Sequence, residues 1–267
     1  MDRELELRPH VDPPEEVADL PVVVVSGAAG TLGRAVVEAI VSRGARVSLT
    51  DQSIASFGDL GDDISASTVL VLAADLRDSA APATIFSSTL EAAGRIDAYV
   101  HVAGMEGPVG SVDAVEARAL LDLFDLNVFA AFRTLAALIP YFRTTGGGRV
   151  VNIASGAGLA GVEFLSPYSS SKHALIGLTR SAARELAIDS ISVNAVCPGC
   201  VESPMMQRLE VALEQVSPGR SGGYRDAIPA RRYAAPSEVA NVVAYLALDA
   251  PLYLTGAAIP VDGALRA

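Results

Sequence analysis

One tyrosine and one lysine carry the strongest chemical signal in this sequence. Tyr168 and Lys172 stand four residues apart in "YSSSK", inside the helical pattern "SPYSSSKHALIGLTRSAAREL", so phenol and ammonium share one helix face. On a solvated helix surface such a pair does nothing. A cation beside a phenol also favours the phenolate, which suits proton transfer. Composition separates the two readings: the 20 basic residues divide into 19 arginines and one lysine, and that lysine is Lys172. Ser155 ends an apolar run 13 residues before Tyr168 and adds a hydroxyl to the group.

A second candidate is "SGAAGTLG", Ser26 to Gly33, between the apolar run "PVVVV" and the helical pattern "RAVVEAIVSRG". Glycine at a strand-to-helix turn lets the backbone approach a pyrophosphate, and the free N–H groups and dipole of the next helix attract its charge. Gly27, Gly30 and Gly33 supply the turn, with Gly30 giving the close approach and Thr31 expected to cap the helix through its hydroxyl. Asp51 follows "RVSLT", 18 residues after Gly33. A carboxylate there accepts hydrogen bonds from ribose hydroxyls and repels a 2'-phosphate, so NAD is favoured over NADP.

These residues need strands to end where they stand. Seven apolar, β-branched runs alternate with stretches of period 3.6: "VVVVS", "RVSLT", "VLVLAAD", "DAYVHVAG", "GRVVNIAS", "ISVNAVCPG" and "GAAIPVDG". Strands without polar alternation are buried on both faces, and helical crossovers make them parallel. The expectation is an α/β, Rossmann-type doubly wound sheet of seven parallel strands flanked by helices on both faces, forming one domain over residues 21–267. Residues 1–20, with "DPPEE", form an acidic N-terminal extension. Ligands of such sheets bind beyond the carboxyl ends of the strands.

A net charge of -11 disfavours nucleic acid, because phosphate backbones call for clustered Lys and Arg. The charged start "MDRELELRPH" lacks the apolar core of a signal peptide, and the apolar runs fall short of the roughly 20 residues of a membrane span. A cytoplasmic protein without membrane contact is expected. The pair Cys197 and Cys200, "CPGC", ends a strand instead of opening a helix, which argues against a redox motif. His10, His101 and His173 have no metal-site spacing, so no metal is expected.

Taken together, the glycine loop, Asp51, "AADL", "LNVFAAF", Ser155, "YSSSK", "VNAVCPG" and "YLTGAAIPVDG" resemble the short-chain dehydrogenase/reductase family, in its shorter single-domain form, over nearly all of residues 21–263. That resemblance implies Tyr168 as general acid/base, Lys172 lowering its pKa and holding the nicotinamide ribose, and Ser155 polarising the substrate oxygen. It implies a water-linked proton relay supported by Asn127. Asp75 and Leu76 would border the adenine; Leu32 belongs to the pyrophosphate loop; Ala103 and Gly104 follow the fourth strand beside the cofactor. Pro198, Gly199, Val201 and Ser203 would contact the nicotinamide end. Three positions depart from the family's usual pattern: Ser26 and Thr31 in the loop, "HVAG" at 101–104, and Ala154 before the serine.

The implied activity is an NAD-dependent interconversion of a secondary alcohol and a ketone. An NADPH-dependent 3-oxoacyl thioester reductase is the alternative within the same chemistry, and a catalytically idle dinucleotide-binding regulator the alternative outside it. Residues 202–228 are expected to form a substrate lid, with Met205, Met206 and Leu209 as an apolar wall and Arg208, Arg220 and Arg225 facing an acidic group or solvent. The family resemblance also implies a homotetramer built on the helices around 113–142 and 166–188.

Overall fold

The computed structural model describes residues 19–219 and 223–267, so nearly all of the N-terminal extension and Arg220 lie outside the described residues. The strands are β1 (Val22–Ser26), β2 (Arg46–Asp51), β3 (Thr68–Ala73), β4 (Ala98–His101), β5 (Gly148–Ile153), β6 (Ile191–Pro198) and β7 (Ala258–Val261). They form one parallel sheet in the order β3-β2-β1-β4-β5-β6-β7. The seven expected runs are all strands, several shorter than the apolar stretch. β3 stops at Ala73 because the chain turns at Asp75, whose carbonyl accepts from Asp78 N–H at 2.9 Å. β7 is bracketed by Gly256 (φ 75°) and Gly263 (φ 61°), whose left-handed backbone bends the chain out of the sheet.

Between the strands lie α1 (Thr31–Val41), α2 (Asp62–Ser67), α3 (Ala81–Ala93), α4 (Ala117–Phe124), α5 (Ala130–Thr145), α6 (Ser166–Leu186), α7 (Pro204–Val216), α8 (Gly223–Ala227) and α9 (Pro236–Ala244). Alternate residues of each strand serve opposite faces. Val23 and Val25 pack with Val36, Val37 and Ile40 of α1 and Val239 and Val243 of α9. Val24 and Tyr99 pack with Phe86 of α3, Leu135 and Leu138 of α5 and Leu186 of α6. The sheet is therefore covered on both faces, which is why its strands carry no polar alternation. A separate, smaller cluster of Met206, Ile228 and Tyr233 holds α7 against the carboxyl end of the sheet.

A single rod, Ala117–Thr145, joins α4 and α5 through a π-helical turn at Asp125–Phe129. Against the expectation that every apolar run is short, this rod is long and apolar enough to cross a membrane. Its helical continuity, broken in sequence by Asp125 and Arg133, produces the length. Those two residues form an ion pair at 2.9 Å, and Ala131, Leu135, Leu138 and Phe142 are buried on the sheet, as in a core helix.

Backbone crossings at the carboxyl ends are close enough to require glycine. A Cβ on Gly33 would lie 2.1 Å from Gly27 O and 2.8 Å from Ala28 Cα, so α1 meets the loop there backbone to backbone. At Gly30 the nearest atom would be Gly27 O at 3.6 Å. Gly33→Ala is therefore expected to lower Tm by roughly 5–10 °C, the effect of overpacking that cannot relax. Gly30→Ala should lower it by no more than about 3 °C, the loss of a helix-capping preference. Thermal melts of the two variants side by side check the contrast, and equal shifts would contradict it.

Candidate active site

The carboxyl ends of β1 and β4, which send their chains to opposite sides, open a cleft of about 880 Å³. Gly27, Gly30, Thr31, Leu32 and Gly33 line one end of it. Thr31 is the first residue of α1 and does not cap the helix. The cap position is Gly30, and no side-chain cap bond forms there. The loop is instead fixed from outside: Arg34 Nε donates to Ala29 O at 3.1 Å, and its Nη2 donates to Ser56 O and Phe57 O.

Asp51 ends β2 on the wall of the cleft, with Oδ2 accepting from Ala29 N–H at 3.0 Å and Oδ1 from Gln52 N–H at 2.8 Å. Two backbone donors thus orient the carboxylate beside the glycine loop. Leu76 also reaches the wall, while the Asp75 carboxylate forms a 2.6 Å ion pair with Arg77, a wall residue the sequence did not mark. Ala103, Gly104, Pro198, Gly199, Val201 and Ser203 complete the wall toward the other end. Ser203 additionally caps α7, its Oγ accepting from Met206 N–H at 3.1 Å.

At that other end Ser155, Tyr168 and Lys172 converge. Pro167 in the first turn of α6 sets the helix start, and the Tyr168–Lys172 face turns to the end of β5. Lys172 is 3% exposed; its Nζ donates to Ile153 O at 2.8 Å and lies 5.7 Å from the centroid of the Tyr168 ring. Burial pulls the ammonium down to about 8. Withdrawal from water raises the Tyr168 phenol above its ordinary value, and its hydrogen bond with Ser155 works in the opposite direction.

Asn127 sits in the π-helical turn, fully buried, with Oδ1 accepting from Met105 N–H at 2.9 Å and Nδ2 donating to Met105 O and Ser171 Oγ, both at 3.0 Å. It clamps the segment after β4. A Cβ on Gly104 would stand 3.2 Å from Asn127 Oδ1 and 3.3 Å from Lys172 Nζ, so glycine is what lets this segment pass over the lysine.

His101, one of the departures, is wholly buried, and Nδ1 lies 2.9 Å from Tyr99 Oη and 3.3 Å from Ser26 Oγ. Burial, with the Lys172 charge adding to it, drives the imidazole down to about 3, so the ring is neutral. Cys197 and Cys200 are free thiols pushed up to about 11 by burial, the opposite of a reactive redox pair.

The substrate end is apolar, lined by Val162, Leu165, Met205, Met206, Leu209 and Leu265. Of the arginines expected in a substrate lid, the two described ones are engaged: Arg208 pairs with Glu106 at 2.8 Å, and Arg225 stacks over the Tyr233 ring at 4.9 Å. Glu106, Leu265 and Arg266 are wall residues that sequence reasoning missed. Each is brought in by a loop or tail without periodicity, and only the terminal placement of Arg266 after "PVDG" offered any signal.

The cleft fits a dinucleotide. Gly30 leaves open space beside the α1 N-terminus for a pyrophosphate, Asp51 holds a carboxylate to one side for a ribose, and Lys172 with Tyr168 closes the far end.

Comparison with known proteins agrees with this fold. The family model described as short chain dehydrogenase matches residues 21–213. A levodione reductase from Leifsonia aquatica is 32% identical over 247 residues, covering 91% of this chain and 92% of its own. Among solved structures, NAD+-bound xylitol dehydrogenase superposes with a TM-score of 0.86 at 28% identity, covering 91% of this chain and 98% of its own. An actinorhodin polyketide ketoreductase variant with NADPH gives 0.85 at 30%, covering 93% and 98%. Matched by the family model over residues 21–213 and by relatives over about nine-tenths of its length, the chain belongs to the short-chain dehydrogenase/reductase family of oxidoreductases.

Proposed function

We propose that this protein interconverts a secondary alcohol and a ketone with NAD(H) as its preferred dinucleotide. One observation carries the reading: the only lysine in the chain is buried against the end of β5 and beside the ring of Tyr168, whose hydroxyl is hydrogen-bonded to Ser155. A cation so placed without a catalytic role would be a net cost to the fold.

In alcohol oxidation Ser155 holds the substrate oxygen and Tyr168, as phenolate, takes the hydroxyl proton; in ketone reduction the phenol returns it. Lys172 stabilises the phenolate and would hold the nicotinamide ribose by donating to its hydroxyls. The bound dinucleotide supplies the two-electron partner for the hydrogen on the carbinol carbon. Asn127 holds Gly104 and Met105 around Lys172 and so brackets the space through which a water-linked relay would run. Bringing a phenol from its ordinary value of about 10 toward neutrality takes roughly 3 to 4 kcal/mol, and burial sets Tyr168 above that start, so the Lys172 ammonium would need the positive charge of an oxidised nicotinamide beside it.

NAD over NADP rests on Asp51 and the neutral Gln52 at the ribose end, where a 2'-phosphate would meet a carboxylate and where, among the described residues, Arg77 is held by Asp75. The NADPH-dependent thioester reductase is disfavoured on that ground, and the idle regulator by the assembled Ser155, Tyr168 and Lys172. Assembly as a cytoplasmic homotetramer belongs to the same proposal, supported by Leu121, Phe129 and Phe132 exposed along the α4–α5 rod and Ile188 beyond α6.

Native enzyme should show higher kcat/KM with NADH than with NADPH, and Asp51→Ala should narrow the ratio by weakening NADH more. Equal or better use of NADPH by the native enzyme would refute the cofactor assignment. Tyr168→Phe keeps the ring volume and should lower turnover at least roughly 1000-fold with NADH binding and Tm little changed. Near-native turnover would exclude the proposed mechanism.

Lys172→Arg keeps the charge, but a planar guanidinium does not fit between Gly104 and Ile153 O, so turnover should fall at least roughly 100-fold. The acid limb of the pH profile for alcohol oxidation should move to higher pH. Burial has a second signature. With Nζ at about 8 in the fold and 10.5 as its ordinary value, the unfolded chain holds more protons between those limits, so the fold gains stability as pH rises through them. The Tm of wild type relative to Lys172→Met should therefore rise between pH 8 and 10, by the equivalent of no more than about 3 kcal/mol. A flat difference would show that Lys172 titrates as an ordinary lysine.

A further inference from the structure

Among the described residues four cationic side chains line the cleft: Arg77, Lys172, Arg208 and Arg266. Three are engaged, Arg77 by Asp75 at 2.6 Å, Lys172 by Ile153 O at 2.8 Å, and Arg208 by Glu106 at 2.8 Å. Arg266 has neither a hydrogen-bond nor an ion-pair partner among the described residues. The nearest acid in sequence, Asp262, does not neutralise it. Its Oδ1 accepts from Ala264 N–H at 3.1 Å, and its Oδ2 is buried without a partner.

The position of Arg266 is built. After β7 two consecutive left-handed residues, Gly263 (φ 61°) and Ala264 (φ 70°), reverse the chain toward the cleft. For alanine that conformation costs about 1 kcal/mol, so the turn persists only because surrounding contacts fix it. Those contacts are visible: Gly263 O accepts from Ala230 N–H at 3.2 Å, Leu265 N–H donates to Asp262 O at 3.2 Å, and Leu265 packs on the cluster of Met206, Ile228 and Tyr233. Arg266 then lies over Gly156, the residue after Ser155, where a Cβ would stand 4.0 Å from Arg266 Cγ.

We propose that Arg266 is a specificity residue that binds an anionic group of the substrate, so that the enzyme acts on ketones and secondary alcohols carrying a carboxylate or sulfonate. The assignment rests on the alcohol–ketone reading above. The reacting oxygen meets Ser155 and Tyr168, the aliphatic stretch lies along Met205, Met206 and Leu209, and the acid meets the guanidinium. Arg266 stands exposed at the rim of the cleft, and its guanidinium offers paired donors to two anion oxygens, which makes it a geometrically selective partner for such a group.

The test compares 5-oxohexanoate, its methyl ester, 5-oxohexane-1-sulfonate and 2-heptanone as substrates for wild type, Arg266→Gln and Arg266→Lys. In wild type kcat/KM for at least one anionic substrate should exceed that for the ester at least 10-fold, and which one distinguishes carboxylate from sulfonate. Arg266→Gln should reduce the acid-to-ester ratio at least 10-fold, mainly through KM, and Arg266→Lys should recover part of it. KM for the acid should rise from 50 to 500 mM KCl while that for 2-heptanone does not. An acid-to-ester ratio equal in wild type and Arg266→Gln would overturn the proposal. Lack of turnover on every ketone would instead overturn the alcohol–ketone reading, and a binding measurement then decides on Arg266 alone. The Tm of dinucleotide-free wild type should rise with millimolar 5-oxohexanoate or the sulfonate and not with the ester, and should not rise for Arg266→Gln. Identical responses in both proteins would reject the anion site.

Discussion

The Lys172 ammonium, 3% exposed and donating to Ile153 O at 2.8 Å, is the interaction on which the site depends. A buried cation is tolerated only where a polar group receives it and the backbone around it leaves room. β5 ends at Ile153, which frees a carbonyl from the ladder to serve as acceptor. Gly104 passes above without a Cβ, and Gly158 packs against the helix, where a Cβ would lie 2.8 Å from Lys172 O. Strand end, loop and helix are thus fitted around one small charge. A wider cation has no place there, which accounts for a single lysine in a chain that elsewhere uses arginine.

Two departures from the usual family pattern turn out to be one feature. Ser26 at the end of β1 and His101 at the end of β4 lie in register, and both meet Tyr99 within 2.9 Å. The hydroxyl, phenol and imidazole form a closed polar group in the core between two strands that part immediately afterwards. Such a group is stable only if its members stay neutral, and burial keeps both Tyr99 and His101 so, the phenol pushed up to about 12 and the imidazole down to about 3. The group ties the strands together at the point where the cleft opens, so its position supports the dinucleotide loop directly above.

What the sequence made legible was what repeats or stands at a strand end. Apolar runs located the seven strands, the glycine spacing located the loop, and the four-residue interval placed Tyr168 and Lys172 on one face. Local chemistry that depends on one extra turn was less legible: Thr31 looks like a cap but lies one residue inside α1, and the π-helical turn that lodges Asn127 in the core has no period to betray it. Contacts between distant segments were invisible. Arg208 reaches Glu106 from 102 residues away, and Arg225 is claimed by Tyr233, so charges that looked available are engaged.

This division follows the physics of the two ends of the cleft. A dinucleotide presents the same phosphates and riboses to any enzyme that binds it, and its end is built from backbone crossings and strand termini, which leave little freedom to residue type. The substrate end is assembled from α7, the loop after β4 and a tail that needs a left-handed Ala264 to turn inward. These pieces are held by a small cluster, Met206, Ile228 and Tyr233, and by ion pairs at the surface, each worth little in water. Their weak attachment permits side chains there to change without cost to the sheet, so the proposed substrate specificity would be set where the fold constrains the sequence least.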